Sequence, residues 1–415
     1  MQQSVSSFRS RVHWLGGLAI GAAVTLTLAT SAQQPPPPGA PPPPRIAPPP
    51  AGPFGGPLPG LLAAELGAFA TGQAEFVNVE TPETDLGPIF NGRSCAECHT
   101  AGGLGGGSAI TVTRFGRTAN GSFDPLEALG GSLLQRFAID PALIERVPPE
   151  ANTVAQRQTT PLFGAGLIEA IPDAAIAQNA RDPKPDGVRG RAAMIWDPAT
   201  QAMRVGRFGW KAQQAHLTTF AGDAYLNEMG ITNRFFPNEN APNGNIDLLR
   251  RFQPHPVIED TIDPATGKSD IDLAADFMRL LAAPRPLPQS PSAAAGANVF
   301  AQAGCAACHR PTMTTGISSI AALNRQPVNL YSDLLLHDMG ALGDGIAQAD
   351  AGAREMRTAP LWGLRVRNRL LHDGRAATVD EAIRAHAGEG AVSRDRYQRL
   401  PFTQRQQLLD FLATL

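Results

Sequence analysis

The chain has 415 residues, with 35 basic against 37 acidic side chains and a formal net charge of −2. With no clustered basic excess, the charge argues against a nucleic-acid partner. The length is too great for one small domain, and 42 glycines with 38 prolines imply long loops.

Residues 1–32 read as a secretory signal: Arg9 and Arg11 form a basic start, and Leu15–Ala29 an apolar run broken by Gly16, Gly17 and Gly21. Cleavage after Ala32, with Thr30 at the −3 position, follows the small-residue rule. An uncleaved N-terminal anchor is the alternative, because the apolar run is near the upper length for a signal. Export follows, to the periplasm or cell surface, with membrane attachment only if the segment stays. Removing it takes two arginines and no acids, so the mature balance is −4. Residues 33–59 carry the runs Pro35–Pro38, Pro41–Pro44 and Pro48–Pro50, which predict an extended polyproline-II tether.

Helical patterns dominate the rest, beginning at Leu61–Phe69 and closing with Pro401–Leu415, where Leu408, Phe411, Leu412 and Leu415 share a face. Two short stretches use all four cysteines: Cys95-Ala96-Glu97-Cys98-His99 and Cys305-Ala306-Ala307-Cys308-His309. C-x-x-C-H suits covalent c-type haem attachment, with the two thiols taking the porphyrin vinyl groups and the histidine the iron. A four-cysteine zinc site leaves His99 and His309 unexplained and has the wrong spacing. C-x-x-C disulfides are small and redox-active rather than stapling. Cys95, Cys98, His99, Cys305, Cys308 and His309 are therefore the expected haem-binding residues, with two covalent haem c groups.

The glycine-rich stretch Gly102–Gly107 lacks the context of a phosphate loop and predicts close backbone approach to a haem edge. An internal repeat follows each motif: Thr159-Thr160-Pro161-Leu162-Phe163-Gly164 and Thr358-Ala359-Pro360-Leu361-Trp362-Gly363. With a proline-rich break at Pro284–Pro291, the expected units are a haem domain with insertions over 60–285 and a second over 286–415.

Several blocks resemble a known group. Asn91-Gly92-Arg93-Ser94-Cys95, Leu167–Pro172, Gly206-Arg207-Phe208-Gly209-Trp210-Lys211-Ala212 and Leu334–Gly340 look like the di-haem oxidoreductase family sometimes labelled "thiol oxidoreductase". Arg357–Trp362 and Leu371-His372-Asp373-Gly374-Arg375 look like the wider bacterial di-haem cytochrome c peroxidase superfamily, which includes MauG and the rubber oxygenases. The resemblance implies an all-α pair of cytochrome c domains with unequal haems, one relaying electrons and one meeting peroxide or dioxygen. It also implies a distal ligand for the C-terminal haem fourteen residues beyond His372, which is His386. Thr378-Val379-Asp380-Glu381 is a capping box that starts a helix here, with Ala382, Ile383 and His386 on one face. His337 and Met339 are the rival ligands.

Of the remaining histidines, His13 lies in the signal, and His372 is expected to hydrogen-bond within the haem pocket. Surface settings are expected for His216 and His255, so no distal ligand is evident for His99's haem, which predicts an open, reactive site. Glu169, flanked by Leu167-Ile168 and Ala170-Ile171, is the candidate acid–base group, because burial raises a carboxylate's pKa. Trp210 and Trp362 are candidates for an aromatic relay. By resemblance, the backbone oxygens of Thr358 and Pro360 offer a calcium site, although no carboxylate cage accompanies them.

Three functions remain open at this level. One is a peroxidase reducing hydrogen peroxide with electrons from a small periplasmic donor such as a cytochrome c or cupredoxin. Another is an oxygenase of the rubber-cleaving type, and the last a plain electron carrier.

Overall fold

The computed structural model describes residues 54–253 and 258–415. The expected signal, residues 33–53 of the proline-rich stretch, and His255 lie outside the described residues. The end of that stretch is not a tether. Leu58 is buried and its N–H donates to Leu280 O at 2.7 Å. Phe54 packs 5.3 Å from the Phe163 ring and lies under the Arg365 guanidinium. Phe54 and Leu58 are apolar enough to dock even though prolines surround them.

The fold is mixed α and β, 36% helical and 16% strand in several sheets, which overturns the all-α expectation. The strand Thr111–Ala119 is central to the largest sheet, pairing antiparallel with Thr153–Gln158 from Thr111↔Gln158 to Gly116↔Thr153. It also pairs with Ser122–Asp124 and Leu133–Leu134. A hairpin joins Ala193–Asp197 to Ala202–Gly206, and its first strand alternates buried and exposed residues as a half-buried strand should. Leu336–Asp338 pairs with Glu355–Arg357 and thereby brings His337 and Arg357 onto one small ribbon.

Two helix crossings support the cysteine motifs. The helix Ala63–Phe76 lies on Asp270–Leu280, and Gly72 allows the approach: a β-carbon there would stand 2.3 Å from Leu273 O. Phe76 packs 4.5 Å from Phe277 in the same contact. The helix Pro291–Gln302, capped by Ser290, runs directly into Cys305 and crosses the closing helix Phe402–Leu412. At this crossing a β-carbon on Gly296 would meet Gln407 O at 1.9 Å, so any side chain there forces the helices apart. Phe300, Leu408 and Phe411 fill the contact, each side chain worth roughly 1.5–3 kcal/mol of burial.

The repeated blocks meet each other. Gly164 and Gly363 both adopt left-handed φ, at 69° and 71°, and each starts a short helical turn, Ala165–Glu169 and Leu364–Val366. A β-carbon on Gly164 would touch the Trp362 ring at 2.7 Å.

Candidate haem centres

Local chain geometry sets up the C-terminal centre first. Cys305–Ala307 forms one tight turn after the left-handed Gly304. His309 Nδ1 lies 3.0 Å from Tyr331 O, and His386 Nδ1 lies 2.8 Å from Ala382 O. Each carbonyl takes the Nδ1 proton and frees Nε2, which is how proteins orient a metal-binding imidazole. The rings face each other with centroids 6.4 Å apart and planes at 59°. Two imidazoles bound on opposite sides of one metal, through bonds of ~2 Å, put their ring centres roughly 6 Å apart. Burial pushes His309 down to about 4 and also lowers His386, so both are neutral and available as donors.

These side chains line an open cavity with Cys305, Cys308 and apolar residues such as Leu364, Leu370 and Ile383. A haem c therefore fits here in polarity and ligand set. The helix carrying His386 is shorter than its sequence pattern suggests. It spans Val379–Arg384 with the expected Thr378–Glu381 capping box, and His386 follows its end.

His337, a rival ligand, is already engaged. Its Nδ1 lies 2.7 Å from Glu389 Oε2 and its Nε2 3.1 Å from Asp333 Oδ2. Burial opposes its charge, but hydrogen bonds with Asp333, Cys308 and Glu389 outweigh that and push it up to about 12. Met339 lines the same cavity. His372 also lines it, buried, with its ring edge-on to Trp210 at 6.3 Å.

At the N-terminal motif, Ser94 caps the turn Cys95–Cys98, and His99 Nδ1 lies 3.0 Å from Gly106 O. The glycine-rich loop thus serves the proximal histidine. Its glycines approach both backbone and side chains, with Gly106 against Ala101 O, Gly103 against Phe54 O, Gly102 against Val366 and Gly105 against Leu281. Burial pushes His99 down to about 4, and the Phe76 ring stands 5.9 Å away. Among the described residues no histidine ring stacks opposite His99 as His386 does opposite His309. All four cysteines are unpaired, and burial pushes the thiols of Cys95, Cys98 and Cys305 up to about 12.

Glu169 differs from its expectation. Burial does push its carboxyl upward, but Arg279 (Nε to Oε2, 2.7 Å) and the Leu217 N–H (2.8 Å) outweigh that. The group is held below the ordinary carboxylate value, as one half of an ion pair. A different carboxylate behaves as Glu169 was expected to. Glu75 accepts the Tyr225 hydroxyl at 2.6 Å, and burial pushes it up to about 7. It precedes Phe76 and interacts electrostatically with Cys95. Nothing in the sequence marked it, since it reads as an ordinary residue of an N-terminal helix.

His216 is half-buried rather than exposed, with Nε2 3.1 Å from Arg204 and Nδ1 2.9 Å from Asp197. A second, smaller cavity is walled by both repeated blocks, including Pro161, Phe163, Pro360 and Trp362. Trp210, Arg357, Ala359 and Arg367 line both cavities. The carbonyls offered to calcium are occupied: Thr358 O accepts from Ser332 Oγ at 2.7 Å and Arg357 Nη1 at 3.1 Å, and Pro360 O from Arg367 Nη2 at 3.3 Å. Two guanidinium groups at these oxygens do not fit a divalent cation.

Residues 145–415 match the family model described as "Di-haem oxidoreductase, putative peroxidase". The chain belongs to the di-haem oxidoreductase family. The matched span holds Glu169, Trp210, the second C-x-x-C-H motif and His386, while Cys95–His99 precede it. None of the curated proteins matches this di-haem oxidoreductase. Solved structures that it resembles include the hydrazine synthase of Kuenenia stuttgartiensis, at 14% identity over 84% of this chain and 87% of that one, with TM-score 0.39. A MauG-like protein associated with microbial copper homeostasis is 17% identical over 61% of this chain and 88% of that one, with TM-score 0.30. Likenesses this loose carry no argument about chemistry.

Proposed function

We propose that this di-haem oxidoreductase is an exported peroxidase, reducing hydrogen peroxide at the haem held by His99 with electrons passed through the haem held by His309 and His386. The observation that carries the reading is the asymmetry between the two histidine motifs. Tyr331 O and Ala382 O aim two imidazoles at one point and close both faces of that centre, which suits electron relay. His99 has its Nδ1 fixed by Gly106 O and no facing imidazole among the described residues, leaving a face for an oxidant.

When bound, haem supplies the redox chemistry that cleaves the O–O bond, and the balance is one peroxide, two electrons and two protons to two waters. The chain supplies the rest. Glu75, hydrogen-bonded to Tyr225 and poised near neutrality, is the group suited to hold and release a proton near the Cys95 attachment. Trp210 lines both cavities, held by its Nε1 donating to Gln158 O at 2.7 Å, and is the relay candidate. The two cysteine motifs are assigned to units 60–285 and 286–415.

Stopped-flow mixing of the purified holoprotein with hydrogen peroxide, with and without reduced cytochrome c, tests the reading. Donor oxidation that depends on peroxide is expected. Consumption of dioxygen with an unsaturated apolar substrate and no donor would replace it with an oxygenase. Inertness of both irons would leave an electron carrier.

A further inference from the structure

Arg357 and Arg367 line the His309/His386 cavity, and neither has a carboxylate partner among the described residues. Arg357 is 7% exposed and gives its Nε to Gly209 O at 2.7 Å and its Nη1 to Thr358 O. Arg367 has one long hydrogen bond, to Pro360 O, and its buried Nε has no partner at all. Carbonyls solvate a guanidinium but do not neutralise it. A buried cation without a counter-ion costs several kcal/mol, and two that repel each other cost more. Burial lowers both pKa values to about 10. Many other arginines have carboxylate partners, among them Arg279 with Glu169, Arg207 with Asp173 and Arg191 with Asp350 and Glu355, although buried Arg114 has none either. Arg357 and Arg367, unlike Arg114, lie together in the wall shared by the two cavities.

We propose that Arg357 and Arg367 take the propionate carboxylates of the haem held by His309 and His386, and that their fixed charge replaces a calcium ion between the two centres. The proposal rests on the haem reading of the C-terminal site. A porphyrin attached through its vinyl groups to Cys305 and Cys308 carries its carboxylates on the remaining edge, and they must end in water or on cations. The planar fork of arginine matches a carboxylate with two parallel N–H donors, and stays charged where lysine would shift. The same two guanidinium groups occupy the Thr358 and Pro360 carbonyls, so a calcium ion there would face two positive charges as well as lose its ligands. One pair of side chains accounts both for the missing counter-ions and for the misfit with calcium.

The test uses the holoprotein, with haem counted by intact mass and the midpoint potential of the low-spin haem followed by optical titration. Arg367 makes only one hydrogen bond to the fold, so Arg367→Gln is the cleaner variant. Removing a positive charge beside the haem favours the ferric form. The potential is expected to move negative by about tenfold in the ferric-to-ferrous ratio, ~59 mV for one electron. Arg367→Lys should recover part of that shift, and a calcium chelator should leave the wild-type potential unchanged. Loss of the second haem in the glutamine variant but not the lysine variant also supports the assignment. Two attached haems with an unmoved potential in both Arg367→Gln and Arg357→Gln would overturn it, as would a chelator shift equal to the mutational one. Wild-type protein that carries no haem by mass would instead refute the underlying reading.

Discussion

His309 and His386 present their rings to each other across 6.4 Å, each with its Nδ1 tied to a backbone carbonyl. That separation matches two imidazoles on opposite sides of one metal ion. His386→Ala should therefore convert a low-spin ferric signal to high-spin in electron paramagnetic resonance, with haem content unchanged. His337 is not able to step in, because Asp333 and Glu389 hold both of its nitrogens. A persistent low-spin signal would point to Met339.

Covalent attachment predicts a mass. The processed protein should exceed its chain mass by two haem groups, and Cys305→Ser should weaken or abolish one of them. Zinc in place of haem would remove the basis for every assignment above.

Glu169→Gln separates two roles. As half of an ion pair with Arg279, both partners partly exposed, its loss should cost ~1–3 kcal/mol, less than a fully buried pair. Thermal unfolding should record that loss. An acid–base role would instead slow peroxide turnover by about 10²–10⁴ at unchanged melting temperature. Glu75→Gln is expected to give the second pattern.

Acid stability should show the Asp173–Arg207 pair. Burial raises the Asp173 carboxyl, but Arg204, the Val205 N–H and Arg207 outweigh it and hold the group at about 2. A depressed carboxylate stabilises the fold above its unfolded pKa of about 4, and that contribution disappears as pH falls towards 2. The melting temperature should drop across that window more steeply in wild type than in Asp173→Asn. At neutral pH the variant should melt lower, because Arg207, 1% exposed, loses its counter-ion.

The cysteine motifs, the capping box at Thr378 and the repeated T-x-P-L blocks were legible because each is a local pattern with a local cause. The sheets were not. Thr111–Ala119 becomes a strand through partners more than thirty residues away at Thr153–Gln158, and pairing of that kind leaves little trace in either segment alone. Glu169 misled for the same reason. Its apolar neighbours announced burial correctly, but Arg279 arrives from a distant helix and reverses the consequence for its proton. Arg367 carried no signal, since an arginine's counter-ion, or its lack, exists only in three dimensions.

Gly164 pressed against the Trp362 ring has a consequence for how far this protein can be divided. The wall of one cavity is built from both repeats, with Phe163 and Trp362 lining it together. A fragment ending at the proline-rich break would lose Trp362 and leave Phe163 bare, and the complementary fragment would bare the tryptophan. Cutting the chain there should therefore lower the stability of both pieces, which thermal unfolding of the separate fragments would show.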